Sequence, residues 1–133
     1  MKFLLSLCLF LYVSTVLAIE PPVPAEFIGL WVPEGGSCQA ISGLRVEQES
    51  VTLFNGPDSQ KYGDLDICHS CEGGARYSGE VVWLLPDFRK GIRNSFTVRF
   101  NANEEKGITV IDIDRDDLKK RFPLHNVKLH MCR

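Results

Sequence analysis

An excess of basic residues is missing. The chain carries 15 Lys and Arg against 17 Asp and Glu, with a sequence pI near 5.9. It therefore lacks the electrostatic footprint that binding nucleic acid or an anionic membrane requires. No 3.6-residue amphipathic pattern of useful length appears and no internal repeat is present, which excludes helical bundles, coiled coils and solenoids. No serine sits in a nucleophile elbow, and no glycine-rich loop leads from a strand into a helix. Hydrolase and phosphate-binding signatures are therefore absent, and no residue is assigned a catalytic, cofactor-binding or metal-binding role. The 44% hydrophobic and 24% charged residues are the balance of an ordinary folded domain, and 133 residues leave room for one.

Residues 1–18 read as a cleavable secretory signal. Lys2 precedes an apolar run, Val16 and Ala18 supply the small residues before a cut, and Pro21, Pro22 and Pro24 stop any helix from continuing. The run is short for a membrane span, so no stable membrane insertion is expected. Cys8 leaves with the signal. Residues 19–26 form a proline-rich lead-in, and 27–133 a single domain. The mature chain then has 14 basic and 17 acidic residues, a formal net charge of −3, and four cysteines: Cys38, Cys68, Cys71 and Cys132. An even number in an exported chain reads as two disulfides. The favoured pairing is Cys38 with Cys132 and Cys68 with Cys71, because closing a barrel brings first and last strands together. If antiparallel pairing instead puts Cys132 at the wrong end of the first strand, Cys38 pairs with Cys68 or Cys71.

Strand signals recur along the mature chain. They fall at residues 27–32, 44–48, 51–55, 79–85, 95–101, 108–114 and 127–131. Several are closed by turn clusters such as Asn55-Gly56-Pro57-Asp58. The cleanest alternation is at 95–101, where Phe96, Val98 and Phe100 share one face and Thr97 and Arg99 the other, so 95–114 is expected to be a hairpin. Residues 116–122 allow one or two helical turns, with Asp116 or Asp117 as cap and Lys119, Lys120 and Arg121 at the C-terminal end. The fold class is all-β: a small antiparallel barrel or sandwich of about seven or eight strands with two disulfides.

Gly29-Leu30-Trp31 in the first strand resembles the G-x-W start of calycin-type barrels, the lipocalins and their relatives. In those the glycine allows a close approach and the tryptophan plugs one end of the barrel. The layout, with a cysteine soon after that strand and another at the far end of the chain, is also similar to small periplasmic bacterial proteins. The resemblance implies a barrel and, in the lipocalin case, a carrier of small apolar ligands, with Phe54, Trp83, Phe96 and Phe100 lining a cavity or else filling the core.

The most specific local feature is Cys68-His69-Ser70-Cys71. A redox dithiol activated by the histidine is one reading, but no helix follows and Glu72 opposes a thiolate, so a structural disulfide is favoured. Zinc held by this pair with His125 and His130 is disfavoured because residues five apart on a strand face opposite ways. Asp112 and Asp114 resemble the start of a calcium loop, yet Asp117 stands where glycine is needed and Pro123 where glutamate is needed. Their alternation reads as a solvated face. What remains is a rigid exported β domain whose loops carry recognition. The expected function is a non-enzymatic module binding another secreted or envelope protein, of the kind that inhibits a cell-wall hydrolase. The candidate contact residues are His69, Glu72, Arg76 and Tyr77 in one loop and Arg89, Lys90 and Arg93 in a second. A calycin-type carrier and a C-x-x-C thiol-disulfide protein are the alternatives.

Overall fold

The computed structural model describes residues 23–88 and 95–133. Among them are nine strands: β1 Gly29–Pro33, β2 Ser42–Val46, β3 Val51–Asn55, β4 Asp58–Tyr62, β5 Asp66–Cys68, β6 Val82–Leu85, β7 Phe96–Phe100, β8 Ile108–Ile113 and β9 Lys128–Met131. One short helix, α1, spans Asp116–Arg121. All ladders between strands are antiparallel, and their order is β4-β3-β2-β1-β9-β8-β7-β6-β5, a continuous meander whose two ends of chain meet at β1 and β9. The sheet curls into a half-barrel. The all-β class is as expected, with β4 and β5 added to the strands foreseen from sequence.

Alternation explains which side is wet. In the β7–β8 hairpin Phe96, Val98 and Phe100 pack inward with Ile111 and Ile113, while Asp112 and Asp114 face solvent. Trp31, Leu44, Leu53, Leu84, Phe122 and Leu129 join the same core, which extends back to Val23. A 3-10 turn at Ala25–Phe27 leads into β1 and lays the Phe27 ring flat on Phe100, with ring centroids 4.2 Å apart. The Trp31 indole N–H donates to the Phe27 carbonyl at 2.9 Å, so this buried tryptophan has its polar atom satisfied. On the outer face, Ala102, Ile108 and Val110 form a second, smaller cluster.

Phe54 and Trp83 are not core residues. Both fall on the outward positions of their strands and are half-buried there. The Phe54 ring lies against Gly43 on the neighbouring strand, where a Cβ would come within 2.7 Å of it. Helix α1 starts as expected but not with the expected cap. Arg115 occupies the cap position and makes no side-chain cap bond, while the Asp117 carboxylate pairs with the Arg115 guanidinium. An arginine within reach competes for the carboxylate that would otherwise cap the helix.

Both favoured disulfides are present. Cys38 and Cys132 have Cα atoms 5.5 Å apart, and Cys68 and Cys71 5.6 Å. The strands β1 and β9 do run antiparallel, placing Cys132 beside Leu30, where its N–H meets the Leu30 carbonyl at 2.7 Å. The loop after β1 turns twice, with the Gly36 N–H on the Pro33 carbonyl and the Ala40 N–H on that of Ser37. That return brings Cys38 to Cys132 and removes the geometric objection to the pairing.

Candidate functional site: the stapled loop after β5

The loop that follows β5 begins inside a disulfide ring and ends at β6. Cys68 is the last residue of β5 and pairs in register with Trp83 of β6, so the Cys68–Cys71 bridge stiffens the point where the chain leaves the sheet. Hydrogen bonds made by side chains then fasten the rest. The outward Trp83 indole N–H donates to the Glu72 carboxylate at 2.8 Å. The Tyr77 hydroxyl lies 2.9 Å from the His69 carbonyl and 3.2 Å from that of Val81. The Ser78 N–H donates to the Glu104 carboxylate, which comes from the connection after β7. A segment with little regular structure is thus tied to the sheet at several points, which is how a loop becomes a preorganised surface.

An open groove of about 570 Å³ runs between this loop and the β7–β8 connection. Glu72, Arg76 and Tyr77 line one wall, and Asn103 and Glu104 the other. Arg76 and His69 are exposed, and neither side chain forms an ion pair or hydrogen bond with the described residues. They are available to a partner, whereas Glu72 and Tyr77 are spent on holding the loop's shape. The four candidates of this loop are therefore brought together, in two different capacities. Arg89, Lys90 and Arg93 lie outside the described residues.

Asn103 and Glu104 belong to the same surface without having been singled out from sequence, and Trp83, expected in a cavity or the core, belongs to it as well. For Trp83 a signal existed: Val82 and Leu84 fix the inward positions of β6, so the residue between them faces outward. For Asn103 and Glu104 there was none, because only the pairing of β6 with β7 carries that connection to the loop.

The other chemical readings resolve by position. Cys68 and Cys71 are bonded to each other, and no group of three or more His, Cys, Asp or Glu side chains among the described residues is arranged to hold a metal. The His125 Nδ1 accepts the Ile113 N–H at 3.0 Å and stands 3.5 Å from the Asp112 carboxylate. The backbone of His125 also forms an isolated parallel bridge with Ile111 of β8. No helix of the described residues is long and apolar enough to cross a membrane. No protein-family model, curated protein or solved structure matches the chain.

Proposed function

We propose that the protein is an exported, non-enzymatic binding module that engages another secreted or envelope protein through the loop 69–77. The observation that carries this reading is the division of labour within that loop. Glu72, Tyr77 and the Cys68–Cys71 bridge lock its shape, while Arg76 and His69 are left exposed without partners among the described residues. Ordering such a loop in advance reduces the entropy lost on association. An arginine on a rigid projection suits a partner rich in carboxylates, since its guanidinium makes bidentate pairs with them.

That chemistry favours a cell-wall hydrolase as the partner, with the protein as its inhibitor or immunity factor. Glycoside hydrolases place two carboxyl groups across the scissile bond, and a cationic finger entering that cleft blocks it. The carrier alternative draws no support from the interior, which is filled by Trp31, Phe96, Phe100 and Phe122. The thiol-disulfide alternative lacks a helix after Cys71.

The test is turbidimetric lysis of purified peptidoglycan by a panel of muramidases, with and without the protein. Arg76→Glu serves as the matched variant, because an exposed position tolerates it. Saturable inhibition by the native protein that the variant loses supports the assignment. Full enzyme activity across the panel at micromolar protein, or equal inhibition by the variant, removes it.

A further inference from the structure

A second cavity lies where the 3-10 turn Ala25–Phe27 closes one end of the barrel against β9 and the β7–β8 connection. It measures about 270 Å³. Past Glu26 and Lys106 it is continuous in its lining with a second hollow of about 260 Å³ that reaches Gly79 and Glu80. Its floor is carbon and sulfur. Phe27 and Trp31 are held by ring stacking and by the bond from the Trp31 indole to the Phe27 carbonyl, and Met131 supplies an adaptable thioether beside them. The rim is charged, with Lys106 and Arg133 as cations, His130 beside them and Glu26 as the carboxylate. Neither Lys106 nor Arg133 is ion-paired within the described residues, in contrast to Arg115, Arg121 and Lys128.

The backbone that carries Lys106 is held in place for this task. The Asn101 amide accepts the Gly107 N–H at 3.0 Å with its oxygen and donates to the Glu80 carbonyl at 3.1 Å with its nitrogen. The Lys128 ammonium grips the neighbouring Glu105 at 2.7 Å. Asn101, which lines the cavity, has φ of 54°. Left-handed backbone at a non-glycine position costs free energy, and such strain is found at ligand clamps.

We infer that this cavity binds a small amphipathic monocarboxylate: the carboxylate between Lys106 and Arg133, the ring or short aliphatic body over Met131 and the edges of Trp31 and Phe27. The volume is below that of a drug-sized site, which restricts the ligand to about one ring. Glu26 on the same rim disfavours a second negative charge. The site is separate from the loop 69–77 and does not depend on the protein-binding reading.

The experiment is a titration of the ¹⁵N-labelled native protein with 3-phenylpropionate, and in parallel with its neutral isostere 3-phenylpropionamide, followed by amide and indole N–H shifts. The acid should produce saturable shifts at Lys106, Gly107, Met131 and the Trp31 indole. The amide should bind at least about tenfold more weakly, since it lacks the charge-assisted pairs. Lys106→Ala and Arg133→Ala alter exposed side chains and should each weaken the acid several-fold, while Lys61→Ala, outside this cavity, should not. Absence of saturable shifts at millimolar acid, equal affinity for acid and amide, shifts centred elsewhere, or unchanged affinity in the Lys106→Ala/Arg133→Ala double variant would each overturn the inference.

Discussion

The two disulfides should differ sharply in what they contribute to stability. Cys38 and Cys132 are 94 residues apart in sequence, whereas Cys68 and Cys71 are 3 apart. In the chain-entropy treatment the long closure restricts the unfolded ensemble by about 4.5 kcal/mol and the short ring by about 2 kcal/mol. Cys38 is exposed and Cys132 half-buried, so replacing both with serine buries no stranded hydroxyl. The β1–β9 ladder and the Cys132 N–H to Leu30 bond remain to hold the chain ends in the native place. The Cys38→Ser/Cys132→Ser variant is therefore expected to fold, with a midpoint lower by about 20 °C. Equilibrium unfolding in guanidinium chloride, with the slope fitted for each protein, measures this against Cys68→Ser/Cys71→Ser. The reasoning fails if the distal pair costs no more than the adjacent pair, or if its removal costs under about 2 kcal/mol.

Three further outcomes follow from the packing. Gly43→Ala should destabilise by about 1–3 kcal/mol. Its Cβ would sit 2.5 Å from the Trp31 carbonyl oxygen and 2.7 Å from the Phe54 ring, whereas Gly63→Ala meets nothing closer than 3.9 Å and should be near neutral in the same guanidinium chloride titration. Tyr62→Phe should raise stability by about 1 kcal/mol, because the Tyr62 hydroxyl is buried with no partner among the described residues. Burial also pushes the Tyr62 phenol up, so the folded state keeps that proton after the unfolded chain has lost it. Stability then falls as pH rises past about 10, and the variant should flatten that fall in alkaline melts; an unchanged slope contradicts the assignment. Finally, the Arg121 guanidinium holds the Asp58 carboxyl below its usual range, so this pair contributes stability above the unfolded carboxylate pKa and loses it as pH falls through the lower folded value. Arg121→Ala should return the Asp58 titration midpoint, followed by carboxyl carbon shifts, toward that of a free aspartate, and an unmoved midpoint would show that the pairing does not govern it.

How far the fold could be read from sequence tracks how far each strand is half-buried. The β7–β8 hairpin was legible because Phe96, Val98 and Phe100 alternate with polar residues, the pattern forced by one dry and one wet face. Strand β4 was not, since Asp58-Ser59-Gln60-Lys61 contains no apolar residue and reads as an extension of the turn before it. It is a strand because a two-residue turn at Gly56, with φ of 58°, fixes its register on β3. Strand β5 has three residues, too few for any period to show. Phe54 and Trp83 misled in the opposite sense, their aromatic character suggesting core when each covers the outer face. At the candidate site the stapled loop announced itself through its cysteines and broken pattern. The facing wall at Asn103 and Glu104 arrives only through long-range pairing, and a single sequence carries no local mark of that.

The same pairing explains why the sheet curls. Strands β4 and β5 are consecutive in the chain yet form opposite edges of the sheet, and only Gly63, Asp64 and Leu65 join them. Four Cα steps span at most about 14 Å, so the two edges must approach within that distance. A flat nine-stranded sheet would hold them far apart, at roughly 4.8 Å per strand. The link is fixed in turn by the end of β6, where the Asp87 N–H meets the Gly63 carbonyl at 3.0 Å and the Phe88 N–H that of Asp64 at 3.3 Å, while Leu65 enters the core. On the β4 side Arg121 of α1 pairs with Asp58 and Gln60, placing charge along an edge that would otherwise template further strands. On the β5 side the chain passes at once into the Cys68–Cys71 ring. The short link therefore sets the curvature and also brings the loop after β5 out at the seam between the two edges, where a staple is needed because β5 has a neighbour on one side only.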